Sequence, residues 1–447
     1  MHPLIPAKPL TNVHLTGIAR DLAARAEAGK PIRVGVIGSG EMGTDLVTQG
    51  ALMRGIEIAA VATRRPHTVR DALKIAYGDD DRAAEADSPS KVSAALEAGK
   101  LAICSAETLV TTPQIDVIID ATGKPGVAAD YDLMAMEHGK HLVMMNVEAD
   151  VTIGPYLKQQ ADRLGVVYSV GAGDEPSSCM ELIEFATALG YRIVSAGKGK
   201  NNALNHDAVP DDYREEAIRR NMNPRMLVEF VDGSKTMVEM CAIANATGLV
   251  PDVPGMHGPK ADRDDMVKVL IPKADGGILS KKGVVDFTIG KGVAPGVFVI
   301  VEAEHPRIIE RMDDLHVGKG PYYSFFRPYH LTSLEVPLTA ARIMLYGKPD
   351  MVPLPNPVAE VCAVAKRDLA VGETFDAIGE TCYRSFIMTI GDARAKQAVP
   401  VGLLEGGKVI APVKKGELIT RANAAPDATT RLYALRLLQD QMLGVTA

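Results

Sequence analysis

The stretch Val34-Gly-Val-Ile-Gly-Ser-Gly-Glu-Met-Gly43, VGVIGSGEMG, closes a short apolar run and opens onto TDLVTQGALMRG, whose apolar residues recur at helical spacing. In that strand, turn and helix setting the glycines at 38, 40 and 43 have separate tasks. The first permits a tight turn, the second lets backbone come up against a pyrophosphate, and the third lets helix pack on strand. The helix N-terminus then faces the phosphates. Gly38, Ser39, Gly40, Glu41, Met42 and Gly43 are therefore expected to hold a dinucleotide, the other reading being a Gly-rich turn of structural use alone.

Working outward, IRVGVI, IEIAAVA, LAICS, IDVIID, HLVMM and VVYSV alternate with TDLVTQGALMRG, HTVRDALKIAY, GVAADYDLMAMEHG and GPYLKQQADRLG. Strands that alternate with helices argue for a parallel sheet covered on both faces. The expected fold class is α/β, with a doubly wound Rossmann domain over residues 1–170, of which 1–31 form an N-terminal extension. Beyond residue 170 the rhythm breaks: a helix over 178–189 and a strand over 191–196 lead into Gly/Pro-punctuated stretches such as GLVPDVPGMHGPK. Residues 171–346 read as an α+β substrate domain that also carries a dimer contact. The proline-rich GKPDMVPLPNP, 347–357, marks a boundary, and the short Gly-turned strands after it predict a small β-rich domain over 358–447.

A chain of 447 residues with 47% hydrophobic and 23% charged residues is long enough for two or three domains and ordinary for a soluble protein. Its net charge of −7 comes from interspersed acids and bases, so no basic face for nucleic acid is advertised. The N-terminal sequence lacks the apolar centre of a signal peptide, and no apolar stretch reaches the ~18 residues of a membrane span. A cytoplasmic protein is expected. Cys104, Cys179, Cys241, Cys362 and Cys382 lie far apart without a CxxC pair, which points to reduced, buried thiols.

The end of the second predicted strand selects the cofactor. An enzyme of NAD places an acid there for the ribose 2′-OH, whereas this chain has AAVATRRP. Thr63, Arg64 and Arg65 offer donors and positive charge suited to a 2′-phosphate, hence NADPH; the alternative is two solvated surface arginines. Farther on, IDATGKPG (119–126) brings Thr122, Gly123 and Lys124 to the nicotinamide side, with Asn146 at the end of the next strand. Lys124 also reads as a plain loop lysine.

Three further stretches carry chemistry. SAGKGKNN (195–202) follows the apolar YRIV and is either an exposed basic turn or the polar end of a strand. If extended, Lys198 and Lys200 share a face, and with Asn201 and Asn202 they suit a phosphate and a polyol. In GAGDEPSS (171–178), Asp174 and Glu175 either cap a helix N-terminus or help hold Mg²⁺ or Mn²⁺. GKGPYYSFFRPYHL (318–331) gathers Tyr322, Tyr323, Arg327, Tyr329 and His330, as a pocket wall or as interface packing. As a pocket wall, Arg327 would grip phosphate and His330 would move protons. His206 and His257 read as loop histidines, and 206–214 or 254–262 as a closing loop.

The order of GxGxxG, DATG, HLVMMNVEAD and VGAGDEP resembles the homoserine dehydrogenase superfamily, and AVAKRDLAVGETFDAIG with VPVGL resembles a SAF-type domain. Together they are similar to the 1-deoxy-D-xylulose 5-phosphate reductoisomerase-like enzymes, which make 2-C-methyl-D-erythritol 4-phosphate with NADPH for isoprenoid biosynthesis. The resemblance implies that YRIVSAGKGKNN ends beside the nicotinamide, which brings Lys198, Lys200, Asn201 and Asn202 to the substrate. One departure bears on the reaction. Homoserine dehydrogenases carry Asn-Lys where this chain has Asn146 and Val147, and a valine moves no proton.

The expectation is an NADPH-dependent reductoisomerase of a phosphorylated ketose, metal-assisted and homodimeric. Lys198, Lys200 and His330 would be catalytic, Asn201, Asn202, Arg327 and Tyr329 would bind substrate, and Asp174 and Glu175 the metal. The alternatives are an NADP-dependent dehydrogenase of a small hydroxy acid or polyol, and a non-catalytic nucleotide-sensing regulatory protein.

Overall fold

The computed structural model describes residues 13–220 and 222–445 of the 447. Residues 1–12 of the expected N-terminal extension lie outside the described residues; Gly17–Glu27 of that extension form a helix. The chain forms two compact units. The first holds the chain up to Asp150, Tyr156–Asp174 and Leu331–Val352; the second holds Val151–Pro155, Glu175–His330 and the chain from Pro353.

The first unit is built on a seven-stranded parallel sheet. Its strands are β1 (Ile32–Ile37), β2 (Ile56–Ala62), β3 (Ala83–Glu85), β4 (Leu101–Cys104), β5 (Val117–Asp120), β6 (His141–Met144) and β7 (Tyr168–Val170). Their order is β3-β4-β2-β1-β5-β6-β7, and every neighbouring pair is parallel. Strands with helices on both faces bury nearly every side chain, which is why IRVGVI and VIID read as continuous apolar runs. Val34, Val36, Leu46, Val61, Leu73, Val117 and Ile119 fill the core. The short edge strand β3 escapes a sequence reading because three residues, AAE, carry no alternation. The helix Val336–Tyr346, which the sequence rhythm assigns to the second domain, packs on β1 and β6 through Val336, Ala340 and Ile343.

The second unit centres on a five-stranded mixed sheet of β8 (Arg192–Lys200), β9 (Val250–Pro251), β10 (Val284–Ile289), β11 (Val297–Glu302) and β12 (Tyr322–Arg327). Their order is β12-β11-β8-β10-β9, so β8 lies in the middle, parallel to β10 and antiparallel to β11. The helices Glu175–Ala188 and Ser234–Thr247 pack on this sheet. In the same unit β13 (Ala359–Ala365) and β14 (Tyr383–Thr389) pair antiparallel and pack against the helix Ser234–Thr247. The segment that sequence sets apart behind a proline-rich boundary is thus grouped with residues 175–330.

All five cysteines are buried, and none forms a disulfide among the described residues. Among the described residues no helix is long and apolar enough to cross a membrane.

Candidate active site

In the first unit the turn after β1 is shaped by its glycines. Gly38 has φ +112°, and a Cβ there would meet the carbonyl oxygen of Ala121 at 2.8 Å. A Cβ on Gly43 would lie 2.4 Å from the carbonyl oxygen of Gly38, so only glycine lets the helix Glu41–Leu52 start this close to β1. Gly40, at the cap of that helix, has nothing within 4 Å of its Cβ position. The space a pyrophosphate needs is therefore open at Gly40 and closed by protein at Gly38 and Gly43.

Beside this turn runs a chain of hydroxyls: Ser39 Oγ lies 2.6 Å from Thr63 Oγ1, and Thr68 Oγ1 donates to Ser39 Oγ at 2.6 Å. Thr63 Oγ1 also accepts the Arg65 backbone N–H at 2.9 Å, which fixes how the chain leaves β2. Arg64 and Arg65 are exposed, and neither enters an ion pair among the described residues. No carboxylate stands at the end of β2, which closes on Ala62 before Thr63.

The DATG turn is held from beneath. Asp120 is fully buried; its Oδ1 accepts from Thr122 N (2.9 Å) and Thr122 Oγ1 (2.6 Å), and its Oδ2 from Asn146 Nδ2 (2.9 Å). Asn146 Oδ1 accepts the Ala149 N–H and caps the helix Val147–Leu164. The Asn146 amide is thus spent on the shape of the turn, while Gly123 and Lys124 above it stay exposed.

In the second unit β8 runs through Lys200, four residues beyond the expected strand end. The exposed-turn reading of SAGKGKNN is corrected for both lysines: Lys198 is 5% and Lys200 4% exposed. The intervening glycines explain the run. A Cβ at Gly197 would lie 1.7 Å from Asp286 O and one at Gly199 2.0 Å from Val293 O, so that side of β8 is closed by neighbouring backbone. Only the lysine side has room.

Lys198 donates to Glu175, in the first turn of its helix, and to Glu239 Oε2 at 2.5 Å. Burial by itself lowers the pKa of this ammonium, but the charges of Glu175 and Glu239 more than reverse that and raise it. Glu239 is itself pushed up to about 7, by burial and then by the like charge of Glu175, and its Oε1 is buried without a hydrogen bond. Lys200 donates to Phe230 O at 2.8 Å; burial, and then the charge of Lys198, lower its pKa to about 8. His330 Nε2 lies 3.5 Å from Glu175 Oε1. This unit therefore gathers a fixed cation, two carboxylates, an imidazole and an amine that titrates near neutrality. That is the equipment of proton transfer to a carbonyl oxygen.

The remaining sequence candidates divide. Arg327 Nη1 donates to Ser178 Oγ (3.0 Å) and Glu181 Oε2 (2.9 Å), and its guanidinium stacks over the half-exposed Tyr329 ring at 4.8 Å. Asn201 and Asn202 follow the end of β8, Asn201 exposed. Tyr322 and Tyr323 bond Asp275 Oδ2 and Ile309 O, so they pack the unit. His206 bonds Asp232 O and His257 bonds Asp252, which leaves both as loop histidines. Asp174 ends the first unit in sequence and Glu175 begins the second.

Glu239 and Asp232 were not singled out from the sequence. A lone glutamate inside the apolar stretch TMVEMCAIANAT was the available signal for Glu239.

Two family models match the chain. Residues 34–170 match the NAD-binding domain of homoserine dehydrogenase, and residues 173–336 match the catalytic domain of oxidoreductase DRL. No curated protein matches. Among solved structures, the chain is similar to a probable dehydrogenase from Thermotoga maritima (14% identity, 71% of this chain and 90% of that one, TM-score 0.41). A scyllo-inositol dehydrogenase from Lactobacillus casei with bound NAD(H) and scyllo-inositol (14% identity, 61% and 74%, TM-score 0.35) is another. A DOX-P reductoisomerase in complex with magnesium (12% identity, 71% and 70%, TM-score 0.38) is a third. The two family matches describe an oxidoreductase whose first unit is a Rossmann domain for a nicotinamide nucleotide.

Proposed function

We propose that the protein is an NADPH-dependent reductoisomerase that converts 1-deoxy-D-xylulose 5-phosphate to 2-C-methyl-D-erythritol 4-phosphate. The observation that carries this reading is the Lys198 ammonium held between the Glu175 and Glu239 carboxylates. A cation fixed in a buried site stabilises the negative charge that grows on a carbonyl oxygen as it is reduced. Lys198 supplies that charge, and Lys200, with a pKa near 8, supplies or removes the proton. The nicotinamide, when bound, supplies the hydride. Arg64 and Arg65, standing where an acid would select NAD, support NADPH as the cofactor.

The Glu175 carboxylate that Mg²⁺ or Mn²⁺ would need is already bonded to Lys198, so the ammonium would compete with a cation there. No step of this reading runs through a metal. The same pairing favours a second reading, a dehydrogenase of an unphosphorylated hydroxy acid or polyol. Lys198 already pairs with two glutamates and Arg327 with Glu181, so a phosphate dianion would compete with carboxylates at both, whereas a neutral carbonyl oxygen would not.

The test is NADPH oxidation with 1-deoxy-D-xylulose 5-phosphate, other phosphorylated ketoses and their unphosphorylated counterparts, with and without Mn²⁺. Turnover confined to unphosphorylated compounds selects the second reading. The first reading also takes the protein to be a cytoplasmic homodimer with a SAF-like C-terminal segment, which gel filtration and truncation examine.

A further inference from the structure

Lys366 follows β13 and is almost wholly buried, with 2% of its side chain exposed. A buried lysine is costly unless each of its three ammonium protons finds an acceptor. Its ammonium donates to Ala208 O at 2.8 Å and Glu380 O at 2.9 Å, and lies 2.6 Å from Asp232 Oδ2 as an ion pair. These partners belong to three separate segments, and that of Asp232 adjoins the Phe230 carbonyl that holds Lys200.

Asp232 is the corner between two helices. It follows Pro224–Val231, whose Phe230 carbonyl holds the Lys200 amine, and its Oδ1 accepts Ser234 N at 2.7 Å, where the helix that carries Glu239 begins. The turn bearing Ala208 is tied to the same corner by Asn205 N to Val231 O (2.9 Å) and His206 Nδ1 to Asp232 O (3.0 Å). Other bonds from the C-terminal segment reach this region: Ser385 N to Ser234 Oγ, Arg225 Nη1 to Ile378 O, and the exposed Lys415 Nζ to Asp207 Oδ2 at 2.6 Å. Among the described residues Lys366 forms the ion pair with Asp232, while the charges of Arg384 and Lys200 also act on that carboxylate.

We propose that Lys366 is a positioning residue for Lys200: its ammonium locks the Asp232 corner and the 205–208 turn, and so fixes the carbonyl that orients the Lys200 amine and the helix that presents Glu239. This rests on the reading of Lys198 and Lys200 as the reacting cluster. It gives the C-terminal segment a part in the chemistry from a position that touches no substrate. In the same way it makes the 205–208 turn a held element of the site.

The experiment uses the full chain with Lys366→Ala and reads two quantities that need no turnover. Amide hydrogen exchange is followed in peptides covering 203–214 and 228–236, and the ε-carbon resonance of Lys200, assigned by its loss in Lys200→Met, is followed by NMR with ¹³C-labelled lysine. Exchange about tenfold faster in those peptides is expected, with a displaced Lys200 resonance. Both should return towards the parent on adding n-propylammonium, which replaces the missing end of the side chain. NADPH affinity, a property of the first unit, should be unchanged. Parent-like exchange with an unmoved Lys200 resonance overturns the proposal, as does a loss that the amine leaves unrestored.

If Lys366→Ala does not fold, Lys366→Met with Asp232→Asn removes both buried charges together and carries the first two readouts. A displaced Lys200 resonance supports the proposal and an unmoved one overturns it. Failure of the proposed reaction would leave all of these readouts intact, so the two ideas fail separately.

Discussion

The Lys198 ammonium donates to Glu239 Oε2 at 2.5 Å, with 6% and 1% of the two side chains exposed. Such a pair is weak evidence for stability but strong evidence of what its loss would cost, since removing one partner strands the other charge. Lys198→Met should lower stability by about 3–5 kcal/mol and abolish turnover. Glu239→Gln should keep the fold and lose turnover. Denaturant unfolding beside steady-state assay separates the two, and full activity in Glu239→Gln would remove the glutamate from the chemistry.

The same glutamate sets a pH dependence of stability. Its folded pKa, about 7, lies above the ordinary 4.5, so between those values the folded state holds a proton the unfolded state has released. Stability from this group therefore falls as pH rises from about 4.5 to about 7. Lys200 works the other way: folded near 8 against 10.5 unfolded, it adds stability as pH climbs through that interval. Tm measured against pH should lose the acid-side slope in Glu239→Gln and the alkaline-side slope in Lys200→Met. An unchanged profile in both variants would contradict the assignment.

Gly40 offers a sharp test of the cofactor turn, because its Cβ position is empty in the protein. Gly40→Ala should keep the parent Tm yet weaken NADPH by about tenfold or more, since the methyl enters the space for the pyrophosphate. Gly43→Ala should instead lower Tm, its Cβ falling 2.4 Å from Gly38 O. Equal behaviour of the two variants would refute a division of labour between these glycines.

Cofactor choice should rest on the exposed arginines that follow β2. Changing Arg64 and Arg65 together to Ala should cost NADPH about 1.5–3 kcal/mol of binding, the worth of charge-assisted hydrogen bonds, and leave NADH almost unaffected. Isothermal titration with both cofactors reads this directly, and equal losses would remove the arginines from that role.

What was legible in the sequence follows from the range of the interactions. The turn from β1 to its helix is a local event, and three glycines within six residues announce it. The alternation of apolar runs shows the parallel sheet because buried parallel strands have no polar face to interrupt them. Lys198 and Lys200 could be placed on one face by strand geometry alone. Their partners could not: Glu239 lies 41 residues from Lys198, and Ala208 lies 158 from Lys366. Nothing in the local pattern says which glutamate of an apolar helix will meet which lysine of a strand. The proline-rich stretch 347–357 does contain a change of unit, between Val352 and Pro353, but proline spacing is silent about what β13 and β14 pack against.

A chain ending near Leu354 should therefore lose more than an appendage. Without β13 and β14 the helix Ser234–Thr247 is stripped of its cover, and Asp232 is left buried without Lys366. The truncated protein is expected to retain NADPH binding only if the first unit survives by itself, and its second unit should be open to proteolysis. A truncated chain as protease-resistant as the parent would show that the segment is dispensable.

Gly197 and Gly199, whose absent side chains leave no gap against Asp286 O and Val293 O, give β8 a single admissible phase. A deletion or insertion of one residue upstream in the strand would turn both lysines towards main chain that cannot yield, and the whole cluster would be lost at once. Point changes around Lys198 can retune the site by degrees, one helix residue at a time. The run GKGK itself admits no such gradation: it is inherited whole, as a matter of reading frame within the sheet.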